Sequence, residues 1–190
     1  GIFMVLGSTV VLLTIFAARN LYGFFTPVTA LGVMFLSIVF ISVASVKYRS
    51  TTMSMASLIL AGIAPLLTSS DLSNYIGLFS YLLAVVLGMI WIVAITGKRS
   101  LVTASLLLVV FYSLPYFISH RFADYGMLMI FAYAFTTIFF VSHTISILKN
   151  RDHTDNADML TAFGNGIYLL AWILIGVKPE WQSIFIAVWM

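Results

Sequence analysis

The sequence predicts an all-α fold, a polytopic transmembrane helical bundle with seven full spans plus a truncated eighth. Of its 190 residues, 62% are hydrophobic and 8% are charged. A soluble domain has about 45–50% apolar and about 25% charged residues. So few charged groups cannot cover the surface of a domain in water. The composition therefore excludes a soluble globular domain, a nucleic-acid-binding protein and a disordered chain.

Each predicted helix corresponds to one uninterrupted apolar run. The runs cover residues 1–18, 27–46, 51–70, 75–96, 101–118, 125–148, 159–177 and 182–190. A helix needs roughly 20 residues to cross a hydrocarbon core about 30 Å thick, so the first seven runs can span. None of these seven contains Asp, Glu, Lys or Arg. Barrel strands would be about ten residues long and would alternate polar with apolar residues, which these runs do not.

The eighth run, 182–190, is too short to span. We therefore expect residues 1–190 to form a single transmembrane helical region, an internal segment of a longer protein. A short interfacial helix is the alternative for this run, because Trp and Phe favour membrane interfaces.

Basic residues predict the topology. Connectors after helices 2, 4 and 6 carry six Lys or Arg residues, whereas the other connectors carry three. Cytoplasmic loops retain positive charge. We therefore predict a multi-pass protein of the bacterial inner (cytoplasmic) membrane, with the connectors at 47–50, 97–100 and 149–158 in the cytoplasm.

Lys47, Lys98 and Lys149 are 51 residues apart, and each opens a short turn. This spacing suggests a repeated helical hairpin. A regular series of spanning helices with short turns would produce the same period without duplication.

Pro65 and Pro115 each lie within an apolar run and should kink a helix, because proline lacks the backbone donor. A kink can line a cavity in a transporter. It can equally be a packing bend, since membrane helices tolerate proline.

Small residues in the third run recur in steps of three and four and predict a helix-packing seam. They are Ser50, Ser54, Ser57, Ala61 and Ala64. Such a face allows close approach of helices, either within the chain or against a partner.

His143 and Asn165 are the candidate residues for substrate contact or a polar cluster inside the membrane. Each lies about 10 Å inside the predicted cytoplasmic end of its helix, which suggests that they face each other on adjacent helices. A proton relay or substrate site is one interpretation. A structural hydrogen bond between helices is the other.

The sequence predicts no catalytic residue, no metal site and no cofactor. Cysteine is absent, which excludes thiolate chemistry. The three histidines lie in separate segments without ligand spacing.

Several motifs carry a family resemblance. They are Leu21-Tyr22-Gly23 with Pro27, Lys47-Tyr48-Arg49-Ser50, Leu60-Ala61-Gly62-Ile63-Ala64-Pro65-Leu66-Leu67 with Ser69, Asn74, Leu78-Phe79-Ser80-Tyr81, and Glu180-Trp181-Gln182. Together they resemble a large family of bacterial predicted membrane proteins that is known only as a domain of unknown function. The resemblance implies a longer protein with many more helices and no known catalytic residues. Ala61 stands where the family pattern has glycine.

Three functional classes follow from these observations. A structural or interaction component of the bacterial cell envelope is favoured, because no charge lies at bilayer depth. A transporter or lipid-handling protein is the alternative, and an intramembrane enzyme acting on lipid-linked substrates is a further one. The expected partners are membrane lipids, and a membrane protein or the rest of a longer parent chain. No nucleic acid is expected.

Overall fold

The computed structural model describes residues 2–48, 50–68, 75–96, 100–118, 125–149 and 156–189. These residues form eight α-helices and contain no strand. The helices are α1 (Ile2–Tyr22), α2 (Pro27–Lys47), α3 (Thr51–Thr68), α4 (Tyr75–Thr96), α5 (Ser100–Ile118), α6 (Tyr125–Lys149), α7 (Asn156–Gly176) and α8 (Pro179–Trp189). Each apolar run corresponds to one helix, which confirms the predicted all-α fold class.

Six of the described helices are long and apolar enough to cross a membrane, namely α1, α2 and α4 to α7. Helix α3 corresponds to the third predicted span. Helix α3 has 18 residues, which corresponds to about 27 Å of helix. The predicted run extended to residue 70, and residues 69 and 70 lie outside the described part of the chain. Helix α8 has 11 residues.

Several helix ends extend beyond the apolar runs and include charged residues that the sequence placed in connectors. Arg19 lies in the last turn of α1, and Lys47 and Lys149 are the last residues of α2 and α6. A cation at a helix C-terminus interacts favourably with the helix dipole. Its long side chain can also keep the charged end at the membrane interface. These three helices therefore include the charged residue at which the predicted apolar run stops.

The first of two compact units covers Gly1–Leu101 and contains α1 to α4. Helices α2 and α3 are central, since they contact each other and each also contacts both α1 and α4. The α1–α2 turn depends on Gly23, whose φ of 65° is unfavourable for other residues. Thr26 then caps α2 by accepting a hydrogen bond from the Thr29 backbone N–H at 3.3 Å. Pro27 follows at the first helical position, where its missing donor costs nothing.

The second unit covers Val102–Met190 and contains most of α5 together with α6, α7 and α8. Helix α7 contacts α6 and α8, and its side chains also meet those of α5. The largest fully buried side chains of the second unit are aromatic, namely Trp172, Tyr116, Phe135 and Phe139.

Candidate functional site

The second unit buries a polar stripe along one face of α7. Thr161, Asn165, Tyr168 and Trp172 are each at most 5% exposed. Their spacing of four, three and four residues places them on one helix face. Among these four, sequence analysis singled out only Asn165. The same period-3.6 test that located the seam on α3 could have found the other three.

Asn165 binds α6 and leaves one polar atom unsatisfied. Its side-chain Nδ2 donates to the Thr136 carbonyl oxygen at 3.0 Å. Its Oδ1 is buried and accepts no hydrogen bond from any described residue. A buried amide oxygen without a donor is costly in an apolar environment. Asn165 therefore links α7 to α6 by a hydrogen bond, and its Oδ1 can accept a hydrogen bond from a small molecule.

His143 lies on the helix that Asn165 contacts, but seven residues after Thr136. That separation corresponds to about 10 Å along α6. The His143 side chain is half-buried. The hydrogen bond from the Asn165 amide to α6 therefore lies about two turns from His143. It does not join Asn165 to His143.

Hydroxyl groups join α5 to α7. The hydroxyls of Thr103 and Thr161 are 2.7 Å apart. Further along, the buried Ser113 hydroxyl lies 3.4 Å from the Tyr168 hydroxyl and also donates to the Val109 carbonyl at 2.8 Å. All these groups are neutral, so they hold the helices together without placing a charge inside the bilayer.

A groove runs between these two helices. Its volume is about 220 Å³, and it is lined by Thr103, Leu106, Leu107, Val110, Phe117, Leu160, Gly164, Ile167, Tyr168 and Ala171. The lining extends over about 21 Å of α5 and about 16 Å of α7. This volume is below the roughly 300–1,000 Å³ of pockets for drug-sized ligands. It is larger than a roughly 150 Å³ cavity that binds benzene. The groove can therefore hold part of one apolar chain.

Gly164 sets the width of this groove. A Cβ atom placed on Gly164 would lie 3.1 Å from the Leu106 Cδ2 atom, whereas one on Gly166 would have no neighbour within 4 Å. Phe117 lines another part of the groove, and the centroid of its ring lies 4.7 Å from that of the Trp172 ring. Glycine at 164 therefore keeps the groove open where α5 and α7 approach each other.

The small residues of α3 are buried in the first unit. Ser54, Ser57, Ala61 and Ala64 are at most 2% exposed, and Ser50, just before α3, is partly buried. The Ser54 hydroxyl donates to the Ser45 hydroxyl of α2 at 3.1 Å. This face of α3 thus lies at close range to α2.

The two predicted kink positions differ in their surroundings. Both prolines lie inside helices, Pro65 in α3 and Pro115 in α5. Pro65 is buried and Pro115 is exposed. The Tyr81 hydroxyl of α4 donates to the carbonyl of Ala61, four residues before Pro65, at 2.9 Å.

No group of three His, Cys, Asp or Glu residues that could hold a metal ion occurs within the described ranges. His120, His153 and most of the connectors at 97–100 and 149–158 lie outside those ranges, as does Arg49 of the connector at 47–50.

Comparison with known proteins gave one family match. The family described as "Predicted membrane protein (DUF2339)" matches residues 1–190. Neither the curated proteins nor the solved structures gave a match. The family match covers the whole chain and agrees with its six long apolar helices. This chain therefore belongs to the family of predicted membrane proteins known as DUF2339, a domain of unknown function.

Proposed function

We propose that this chain is a structural or interaction component of the bacterial cell envelope, embedded in the inner membrane. The observation that carries the proposal is the neutral chemistry of its helix contacts. Ser45 with Ser54 and Thr103 with Thr161 are hydroxyl pairs. Asn165 binds a backbone carbonyl. Proton relays and ion-coupled transporters depend on ionisable residues at bilayer depth. The seven apolar runs contain no Asp, Glu, Lys or Arg, and their one histidine is His143.

Under this proposal, membrane lipids surround the protein. Its specific partner is a membrane protein or further helices of the same polypeptide. Neutral interhelical hydrogen bonds stabilise an assembly of helices by a modest amount, on average about 0.6 kcal/mol each. They supply no driving force for transport. Their contribution is a fixed arrangement of helices on which a partner can assemble.

Native mass spectrometry of the protein, purified gently from its own membrane together with lipid analysis, tests this function. We expect a co-purifying protein, or bulk phospholipid only. A stoichiometric non-bulk ligand such as a lipid-linked sugar would overturn the proposal. In the same assay, the double variant His143→Leu with Asn165→Leu should retain the co-purifying protein at wild-type stoichiometry. Loss of that protein from a folded double variant would instead assign these residues to a binding site.

A lipid-handling function is the second candidate, and the groove between α5 and α7 favours it. Its walls are almost wholly apolar, and its length and volume suit part of one acyl or isoprenoid chain. Gly164→Leu should fill the groove. Gly166→Leu is the matched control, because it adds the same side chain to the same helix at a position with no neighbour within 4 Å.

The two candidates give different outcomes in the mass spectrometry experiment. Lipid handling predicts a non-bulk lipid that Gly166→Leu retains and Gly164→Leu loses. An interaction component predicts that neither variant alters the bound lipid. Retention of a specific lipid by both variants would place that lipid outside this groove.

A further inference from the structure

Pro65 leaves one carbonyl of α3 without its usual donor. In an α-helix, the carbonyl of residue i accepts a hydrogen bond from the N–H of residue i+4. Proline has no N–H, so Pro65 cannot serve the carbonyl of Ala61. Ala61 is fully buried, and a buried carbonyl without a donor is strongly unfavourable in a bilayer. A membrane helix with this sequence needs a replacement donor.

Tyr81 of α4 supplies that donor. Its hydroxyl donates to the Ala61 carbonyl oxygen at 2.9 Å, and the Tyr81 side chain is 9% exposed. The ring of Phe35 from α2 meets the Tyr81 ring edge-on, with centroids 5.9 Å apart and planes at 73°. This arrangement is favourable for aromatic pairs. Three helices of the first unit therefore meet at the position where α3 is weakened.

We infer that the Tyr81 hydroxyl replaces the backbone N–H that Pro65 lacks, so that a side chain of α4 completes the hydrogen bonding of α3. Ala61 lies one turn before Pro65, so this bond joins the part of α3 that precedes the proline to α4. Removing the Tyr81 hydroxyl takes away the donor that stands in for the missing N–H at the buried Ala61 carbonyl.

A double-mutant cycle tests the inference in protein reconstituted in lipid. Tyr81→Phe should lower the equilibrium constant for folding on the order of three- to twenty-fold, the range for hydrogen bonds between membrane helices. Pro65→Ala restores an N–H at position 65, so in that background Tyr81→Phe should change the constant by less than about two-fold. An equal loss in both backgrounds would overturn the inference.

Pro115→Ala is the matched control background. It removes an exposed proline from another helix. In this background, Tyr81→Phe should therefore lower the equilibrium constant for folding by the same factor as in the wild type. If Pro115→Ala abolished the effect as well as Pro65→Ala does, the coupling would be a general property of proline removal, and the inference would fail.

Discussion

Asn165 is where the buried polar stripe of α7 is incompletely satisfied. Its Nδ2 has a partner, the Thr136 carbonyl, while its Oδ1 has none among the described residues. The net contribution of the Asn165 side chain to stability is the free energy gained from one hydrogen bond minus the cost of desolvating one acceptor. That difference makes Asn165 a useful position for distinguishing a structural residue from a binding one.

Asn165→Leu should lower the free energy of unfolding by no more than about 1 kcal/mol, because losing the bond to Thr136 is offset by removing the unsatisfied oxygen. Asn165→Asp should cost about 3 kcal/mol, since it places a carboxylate at bilayer depth. Equilibrium unfolding in mixed micelles measures both. A larger cost for Leu than for Asp would show that Oδ1 has a strong partner, such as a buried water molecule.

The glycines on either side of Asn165 should respond differently to alanine. Gly166→Ala meets no atom within 4 Å and should stabilise the protein by up to about 1 kcal/mol through helix propensity. Gly164→Ala should gain less, because its methyl group would lie 3.1 Å from Leu106 Cδ2 and would require that side chain to shift. Thermal unfolding of the two variants compares them. Equal stabilisation would indicate that Leu106 moves freely.

In the turn between α7 and α8, one side-chain amide supplements the backbone hydrogen bonds from Val177 N–H to the Ile173 carbonyl and from Trp181 N–H to the Lys178 carbonyl. The Gln182 Nε2 atom donates to the Leu174 carbonyl at 3.3 Å and to the Val177 carbonyl at 3.0 Å. Carbonyls at a helix C-terminus lack intrahelical donors. A side chain from α8 therefore supplies donors to the carbonyls at the end of α7.

Gln182→Leu should destabilise this turn by about 1 kcal/mol, the value of an ordinary hydrogen bond. The change should appear as faster amide hydrogen exchange in α8, measured by mass spectrometry. Ser183→Leu is the control, because Ser183 is exposed and its replacement should leave exchange unchanged. Equal exchange in both variants would mean that other contacts, such as Tyr133 with Phe185, hold α8.

Sequence analysis located the helices better than their ends or their polar contacts. Long apolar runs predict spanning helices because the bilayer requires them. The predicted ends were less accurate, since the first run stops before the charged Arg19 while α1 continues through it to Tyr22. The tie between Asn165 and Thr136 depends on the register of two packed helices, which composition does not specify. Tyr81 was identified only as part of a family motif, although its hydroxyl completes the helix that Pro65 interrupts.

The distribution of basic residues along the chain predicts its orientation in the membrane. Connectors after α2, α4 and α6 carry six of the nine Lys and Arg residues. If these connectors are cytoplasmic, residue 48 and residue 178 lie on opposite sides of the membrane. Both side chains are exposed, and the chain has no cysteine, so one introduced cysteine reports each side. In intact spheroplasts, an impermeant maleimide should label Lys178→Cys but label Tyr48→Cys only after lysis. The reverse pattern would invert the topology, and equal labelling of both in intact spheroplasts would contradict the predicted number of crossings between them.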